Sequence, residues 1–499
     1  MKLELVKEFR EIVKKIKAYN YVMSLVGWDS ATEAPKGSFP RRAEMMGILS
    51  AESFRLQTGE HTVSVVNQLF EQKESLDPLL KREIEKAKKN IDKVVKIPEE
   101  DYVAYQKLAQ ISENIWEEAK DKEDYELFKP YLKQIIDYTK KFVNYYEIDD
   151  LPYNVLLDEY EEGMTMKEFD EFFDTLRKDL VPFVKEVLNV KKQENDAFMT
   201  AFFDKKKQEE FCDYLIDVVA FNRNYGLMKK SVHPFTWNTS PEDVRFTTRY
   251  LENYMFSSIF AAIHELGHGT YEQQISTEFD DTLLNGGTSM GIHESQSRFF
   301  ENMIGRSYSF WKTHYPKLQS IFKEELKDVS LEDFYKAANK VEASFIRVEA
   351  DELTYPMHIM LRYDLEKQLI DGSLTVDELP AAWDDLMVAY LGIRPTKMSE
   401  GVLQDVHWSG GMIGYFPTYV LGSAYAAQFY YTMKKDLDIE SLIEQGEIKQ
   451  INAWLREKIH KYGSSKSPKE LLLDVTGEPF NAMYYVKYLK EKYSALYLK

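Results

Sequence analysis

A single cysteine, Cys212, stands in a chain of 499 residues. One thiol excludes an intramolecular disulfide framework and any zinc or iron–sulfur site built from several cysteines. It also suits a reducing compartment, so a cytoplasmic location is expected. Glycine and proline are sparse, at 22 and 16, which leaves few breaks and points to long helices joined by short loops. No apolar run reaches the roughly 18 residues of a membrane span, so no membrane partner is expected. The amino terminus mixes charged and apolar residues and lacks the uninterrupted apolar region of a signal peptide. Basic residues are outnumbered, Lys+Arg 64 against Asp+Glu 83, for a formal net charge of −19. That field repels a phosphate backbone, so nucleic acid is not expected as a partner. Internal repeats, low-complexity tracts and Gly/Ser-rich linkers are lacking too. Residues 1–499 are therefore expected to form a single helical unit, with two lobes around a cleft.

What is present is helical periodicity. Leu5, Val6, Phe9, Ile12, Val13 and Ile16 recur at steps of three and four, one face of an amphipathic helix. Asp77-Pro78 reads as an N-cap followed by proline at the first helical position. Thr165 with Glu168, Thr375 with Glu378, and Ser467 with Glu470 read as capping boxes. Val244 to Tyr250 departs from this pattern. Its β-branched and aromatic residues alternate, which predicts a short strand and hence a small β element in a mainly α protein. The alternative is the first turn of a helix capped by Ser240-Pro241. Asp371-Gly372-Ser373 and the stretch from Lys461 to Ser467 read as surface loops.

The sharpest chemical signal is His264-Glu265-Leu266-Gly267-His268, which follows an apolar run from Phe256 to Ala262. Residues i and i+4 share a helix face, so both imidazoles can reach one metal ion, with Glu265 close enough to act on its water. Catalytic zinc keeps three protein ligands and an open position. A third histidine in the metzincin pattern is excluded, because Tyr271 and Gln274 stand where glycine and histidine would be needed. Downstream, Gly291 to Glu301 reads as a second helix. Glu294 and Glu301 lie two turns apart on one face, and His293 is a third candidate, so spacing alone does not choose the ligand. Arg347 and Asp351 form an i, i+4 pair. That pair is either a surface salt bridge or a guanidinium oriented by its aspartate to clamp a carboxylate. The Gly- and aromatic-rich stretch from Gly401 to Tyr419 is either a buried aromatic corner or a loop bringing His407 and tyrosine hydroxyls to a forming oxyanion. His233-Pro234-Phe235 by itself reads as a turn.

Taken together, these blocks resemble the carboxypeptidase Taq family of zinc-dependent metallocarboxypeptidases. The resemblance rests on His233-Pro234-Phe235, Asp243 to Thr247, His264 to His268, His293-Glu294-Ser295-Gln296, Ile346 to Asp351 and Gly401 to Trp408, in that order. Trp28-Asp29 with Pro35, and the segment from Tyr415 to Tyr419, extend it over nearly the whole chain. It implies that His264, His268 and Glu294 bind the metal and that Glu265 is the general base and acid. It implies that Arg347 anchors the substrate's C-terminal carboxylate and that His407, Tyr415 and Tyr419 contact the substrate or transition state. The first two blocks would help to close the groove and restrict substrate length. A mostly helical, lobed molecule with a deep cleft follows, along with zinc that cobalt can replace, a homodimer, and peptide substrates with a free C-terminal carboxylate.

Two other functions stay open at this point. A zinc oligopeptidase would cut internal bonds in a similar cleft, and C-terminal amidation of a substrate separates it from an exopeptidase. A catalytically silent peptide-binding scaffold would lack a ligand or the base.

Overall fold

Helices follow the sequence periodicity through most of the chain. The computed structural model describes residues 2–190 and 196–498. Helix α1 (Lys2–Thr32) buries Leu5, Phe9, Ile12, Val13 and Ile16, because steps of three and four return to one side of a 3.6-residue turn. That face packs on Val65, Val66 and Leu69 of the helix Glu60–Glu71, and on Leu80, Ile84 and Ala87 of the helix Pro78–Val95. The latter starts as predicted, with Asp77 accepting from the Leu80 amide at 3.0 Å and Pro78 at the first position. These helices share a small core, while a much larger one extends from Ala119 to Tyr497. The fold is mainly α and lobed. Buried Glu83 accepts from Arg10 Nη1 at 2.5 Å and from the amide of Leu283 at 2.9 Å, and so ties α1 to the chain just before Leu284 of the large core. No helix among the described residues is long and apolar enough to cross a membrane.

Within the large core, helix α2 (Pro152–Tyr160) buries Tyr153, Leu156 and Leu157. The predicted strand is present as β3 (Asp243–Thr248), at the centre of a three-stranded sheet, and it ends before Arg249 and Tyr250. It pairs in parallel with β1 (Gly226–Lys230) and antiparallel with β2 (Thr236–Ser240), giving the order β1-β3-β2. His233-Pro234-Phe235 lies in the connection from β1 to β2. Val244 and Phe246 of β3 are fully buried, so the sheet lies against the core along one face.

Helix α3 (Met255–Gln273) carries the histidine pair and is buried on nearly every side. Helix α4 (Met290–Arg298) starts at Ser289, whose hydroxyl accepts from the Ile292 amide at 3.1 Å, and it continues as a wider π turn over Phe299–Gly305. Helix α5 (Tyr355–Asp371) and helix α6 (Pro417–Asp436) complete the frame around it. The capping boxes at Thr165 and Ser467 start their helices as predicted. At Thr375 the bonds to Glu378 form, but the helix begins only at Leu379, so they close a turn instead. Asp371-Gly372-Ser373 is exposed as expected. The 461–467 stretch is not simply a surface loop. Gly463 and Ser464 are buried, the Ser464 amide donates to Leu284 O at 3.0 Å, and Thr288 Oγ1 donates to Gly463 O at 2.6 Å. A backbone hydrogen-bond pattern of this kind leaves no mark on residue type.

Two glycines decide where α4 lies. A Cβ on Gly267 of α3 would stand 2.7 Å from Gln296 O and Ser297 Cα, and one on Gly422 of α6 would stand 2.6 Å from Glu294 Cβ. The helix bearing Glu294 is thus seated against backbone on both sides. Gly267→Ala is expected to cost about 1–3 kcal/mol through overpacking. Gly47→Ala, at a helical site with nothing near its Cβ, should gain up to about 1 kcal/mol from helix propensity. Urea denaturation of the two variants beside the parent chain checks both signs.

Candidate metal centre

On α3 the side chains of His264 and His268 lie one turn apart, with ring centroids 4.9 Å from each other. Glu294 reaches them from α4, its Oε2 standing 3.6 Å from His264 Nε2 and 3.4 Å from His268 Nε2. One donor atom from each residue lies within 4.8 Å of the others. Bonds of about 2.0–2.2 Å around a tetrahedral zinc ion put neighbouring donors roughly 3.3–3.5 Å apart. Two imidazole nitrogens and a carboxylate oxygen at this spacing fit a divalent ion.

The remaining atoms of these three residues are also engaged. His264 Nδ1 pairs with Glu301 Oε2 at 2.9 Å, and His268 Nδ1 with His293 Nδ1 at 2.6 Å. The two alternatives left open by spacing, Glu301 and His293, therefore stand behind the two histidines and outside the converging set. Arg298 donates from Nε to Glu294 Oε1 at 2.7 Å and from Nη1 to Glu301 Oε2 at 3.2 Å. Burial would raise the Glu294 carboxyl, yet Arg298, His264 and His268 hold it well below the usual range. Burial likewise pushes the His268 imidazole down to about 3, against the pull of Glu294. Glu265, 6% exposed, is raised by burial against the pull of His264 and of Thr236. Thr236 Oγ1 donates to its Oε2 at 2.6 Å.

Arg347, His407, Tyr415 and Tyr419 come together in a second cluster. The predicted Arg347–Asp351 pair does not form. Arg347 lies in a single 3₁₀ turn, Arg347–Glu349, where i and i+4 do not share a helix face. Its Nε donates to Asp405 Oδ1 at 2.9 Å, and its Nη1 to the Tyr355 hydroxyl at 3.3 Å. Asp351 instead accepts from the amides of Leu353 and Thr354 at 2.9 and 3.0 Å, and from Thr354 Oγ1 at 2.7 Å. Arg362 donates to the other oxygen of Asp405, from Nε at 2.8 Å and also from Nη2. Two guanidiniums thus share one carboxylate. Burial outweighs the pull of Asp405 and pushes the His407 imidazole down to about 4. The His407 ring stacks on Tyr415 at 5.5 Å, and its Nε2 is 3.4 Å from the Tyr419 hydroxyl. Tyr355 links the clusters, because Arg298 lies over its ring at 4.7 Å.

A family model described as Carboxypeptidase Taq (M32) metallopeptidase matches residues 8–493. The chain belongs to that family. It is 43% identical over 493 residues to carboxypeptidase 1 of Bacillus subtilis (strain 168), covering 99% of this chain and 98% of that one. It is 38% identical to thermostable carboxypeptidase 1 of Pyrococcus furiosus, covering 98% of each. The solved M32 carboxypeptidase from Deinococcus radiodurans R1 matches with a TM-score of 0.95 at 31% identity, covering 99% of this chain and 100% of that one. With the donor set intact, this M32 chain is a metallopeptidase.

Several residues of the M32 site escaped the sequence reading. Asp405 lay inside a recognised block, but nothing local named it as the partner of Arg347. Buried Glu161 accepts from the Ser289 hydroxyl at 3.0 Å and the Gly291 amide at 2.8 Å, at the start of α4. Buried Glu366 accepts from Trp408 Nε1 at 2.7 Å, the Tyr153 hydroxyl at 2.7 Å and the Gly414 amide at 2.8 Å. It holds both ends of the loop between His407 and Tyr415. Gly414 there has φ +90°, and a Cβ would touch the Leu156 backbone at 3.0 Å, so only glycine suits it.

Burial raises the Glu366 carboxyl to about 7 despite three donors. A folded-state value above the ordinary one, about 4.3, gives stability that is full at lower pH and lost as pH rises through 7. Glu366→Gln removes that loss. From pH 4.5 to 8, unfolding free energies from urea denaturation should shift in favour of the variant, relative to the parent chain, by on the order of 1–3 kcal/mol. Parallel curves would mean that Glu366 stays ionised throughout.

Proposed function

We propose that the protein is a zinc-dependent metallocarboxypeptidase that removes the last residue of peptides with broad preference. It works as a homodimer in the cytoplasm, and residues 1–499 act as one catalytic unit. Substrates carry a free C-terminal carboxylate. The observation that carries the exopeptidase reading is the charge around Asp405. Arg347 and Arg362 bring two positive charges to a single carboxylate, and a buried excess of one positive charge calls for an anionic ligand. Arg347 has N–H groups on Nη1 and Nη2 beyond those engaged by Asp405 and Tyr355. A planar fork of this kind matches a carboxylate.

His264, His268 and Glu294 would hold the ion. Bound zinc, or cobalt in its place, supplies a Lewis acid that polarises the scissile carbonyl and lowers the pKa of the attacking water towards about 7. Glu265 takes the proton of that water and passes it to the departing amine. Arg347 fixes the terminus, so that only the last peptide bond is in register. His407, Tyr415 and Tyr419 offer N–H and O–H donors to the substrate and to the developing oxyanion.

The test follows an unmodified oligopeptide by mass spectrometry, with zinc, with cobalt and with chelator. A ladder of single-residue losses from the C-terminus, stopped by chelator and by C-terminal amidation, is the expected result. Internal fragments would replace the exopeptidase reading with that of an oligopeptidase. Glu265→Gln should keep its zinc and lose about 10²–10⁴-fold in kcat. Arg347→Ala should lower kcat/KM for free-acid peptides by about 10–100-fold, the worth of a charge-assisted bond, and unchanged kinetics would remove Arg347 from this role.

A further inference from the structure

Strand β2 lies at the sheet edge next to α3. Successive side chains of a strand alternate between its faces, so Thr236 and Asn238 point the same way. Their β3 partners, Phe246 and Val244, are fully buried, and that common face is the one turned to α3. Each of the two polar residues meets a carboxylate of α3. Thr236 Oγ1 donates to Glu265 Oε2 at 2.6 Å, and Asn238 Nδ2 donates to Glu272 Oε2 at 2.7 Å. Trp237 between them faces the other way and is 37% exposed.

The bond from Asn238 begins a chain that ends at the metal ligands. Glu272 Oε1 stands 2.7 Å from His293 Nε2, and His293 Nδ1 stands 2.6 Å from His268 Nδ1. A carboxylate can only accept, so His293 Nε2 is the donor to Glu272, and its ring is held with Nδ1 turned to His268. His268 is thereby held through Nδ1, which turns its Nε2 towards Glu294, 3.4 Å from Oε2. The order carboxylate, imidazole, imidazole orients the His268 ring and bears on which of its nitrogens holds the proton.

We propose that β2 positions the metal centre through these two residues. Thr236 holds the Glu265 carboxylate, and Asn238 acts through Glu272 and His293 on the orientation and tautomer of His268. Both are positioning residues, and the inference rests on the metallopeptidase reading of the site. The two arms separate cleanly, because Glu265 is not a ligand while His268 is.

The test uses the full chain and four variants, Thr236→Val, Thr236→Ser, Asn238→Ala and Glu272→Gln. It measures steady-state kinetics, and zinc affinity by competition with a chelator in the absence of peptide. Thr236→Val keeps the shape and loses the donor. It should lower kcat at least tenfold with KM and zinc affinity unchanged, and Thr236→Ser should restore kcat to near the parent value. Glu272→Gln should weaken zinc about 10–100-fold, the usual cost of losing an outer partner of a metal-bound histidine. Asn238→Ala should weaken zinc less, by several-fold, without a separate effect on kcat at saturating zinc. Native kcat in Thr236→Val, or no rescue by serine, would overturn the first arm. Native zinc affinity in both Glu272→Gln and Asn238→Ala would overturn the second. If the parent chain cleaved no peptide, the proposed function would fall, while the zinc titrations would still decide the second arm.

Discussion

Arg298 bonds the two carboxylates that serve the histidine pair, Glu294 from Nε and Glu301 from Nη1. Burying charges in this number is costly unless each is paired and hydrogen-bonded. The pairing continues outward, with Arg306 donating to Glu301 at 3.1 Å and Lys492 to Glu352 at 2.6 Å. Three cations, Arg298, Arg306 and Lys492, thus face three anions, Glu294, Glu301 and Glu352. The donor atoms are held in place by a lattice of charge that is neutral within itself. Glu294 cannot reorient without breaking its bond to Arg298, nor His264 without breaking its bond to Glu301, so both side chains are held in place by groups of the protein itself.

Packing supplies what the charges do not. The distance from α3 to α4 is set by Gly267, and the distance from α6 to α4 by Gly422. Glu161 caps the start of α4, and Glu366 clasps the loop that follows His407. Both are buried carboxylates without a cation in hydrogen-bond contact among the described residues, and burial raises both to about 7. They cost stability above neutral pH and in return fix two segments that hydrocarbon packing alone would leave loose.

Much of this was legible in the residues. Periodicity gave the face of α1, alternation gave β3, and the i, i+4 histidines gave the helix and its chemistry. The choice of Glu294 came from the resemblance, because Glu294 and Glu301 occupy the same face and spacing is degenerate between them. The structure separates them by depth: one oxygen of Glu294 faces both Nε2 atoms, while Glu301 faces the far nitrogen of His264. Other features were out of reach for a plain reason. Asp405 is 58 residues from Arg347, and a local window offered Asp351, which turned out to close its own turn. Strands β1 and β2 are five residues each and rich in lysine or polar side chains, and their pattern is set by α3 and β3 more than by any alternation of their own.

On the proposed carboxypeptidase reading, the shared carboxylate of Arg347 and Arg362 has a consequence for what happens between turnovers. A site that reads only a terminal carboxylate meets the same group again after every cleavage, because hydrolysis creates a new one on the shortened peptide. The reaction regenerates its own recognition element, so a substrate need only advance by one residue to be bound again. The released amino acid carries that group as well. Each product would therefore compete for the site that made it.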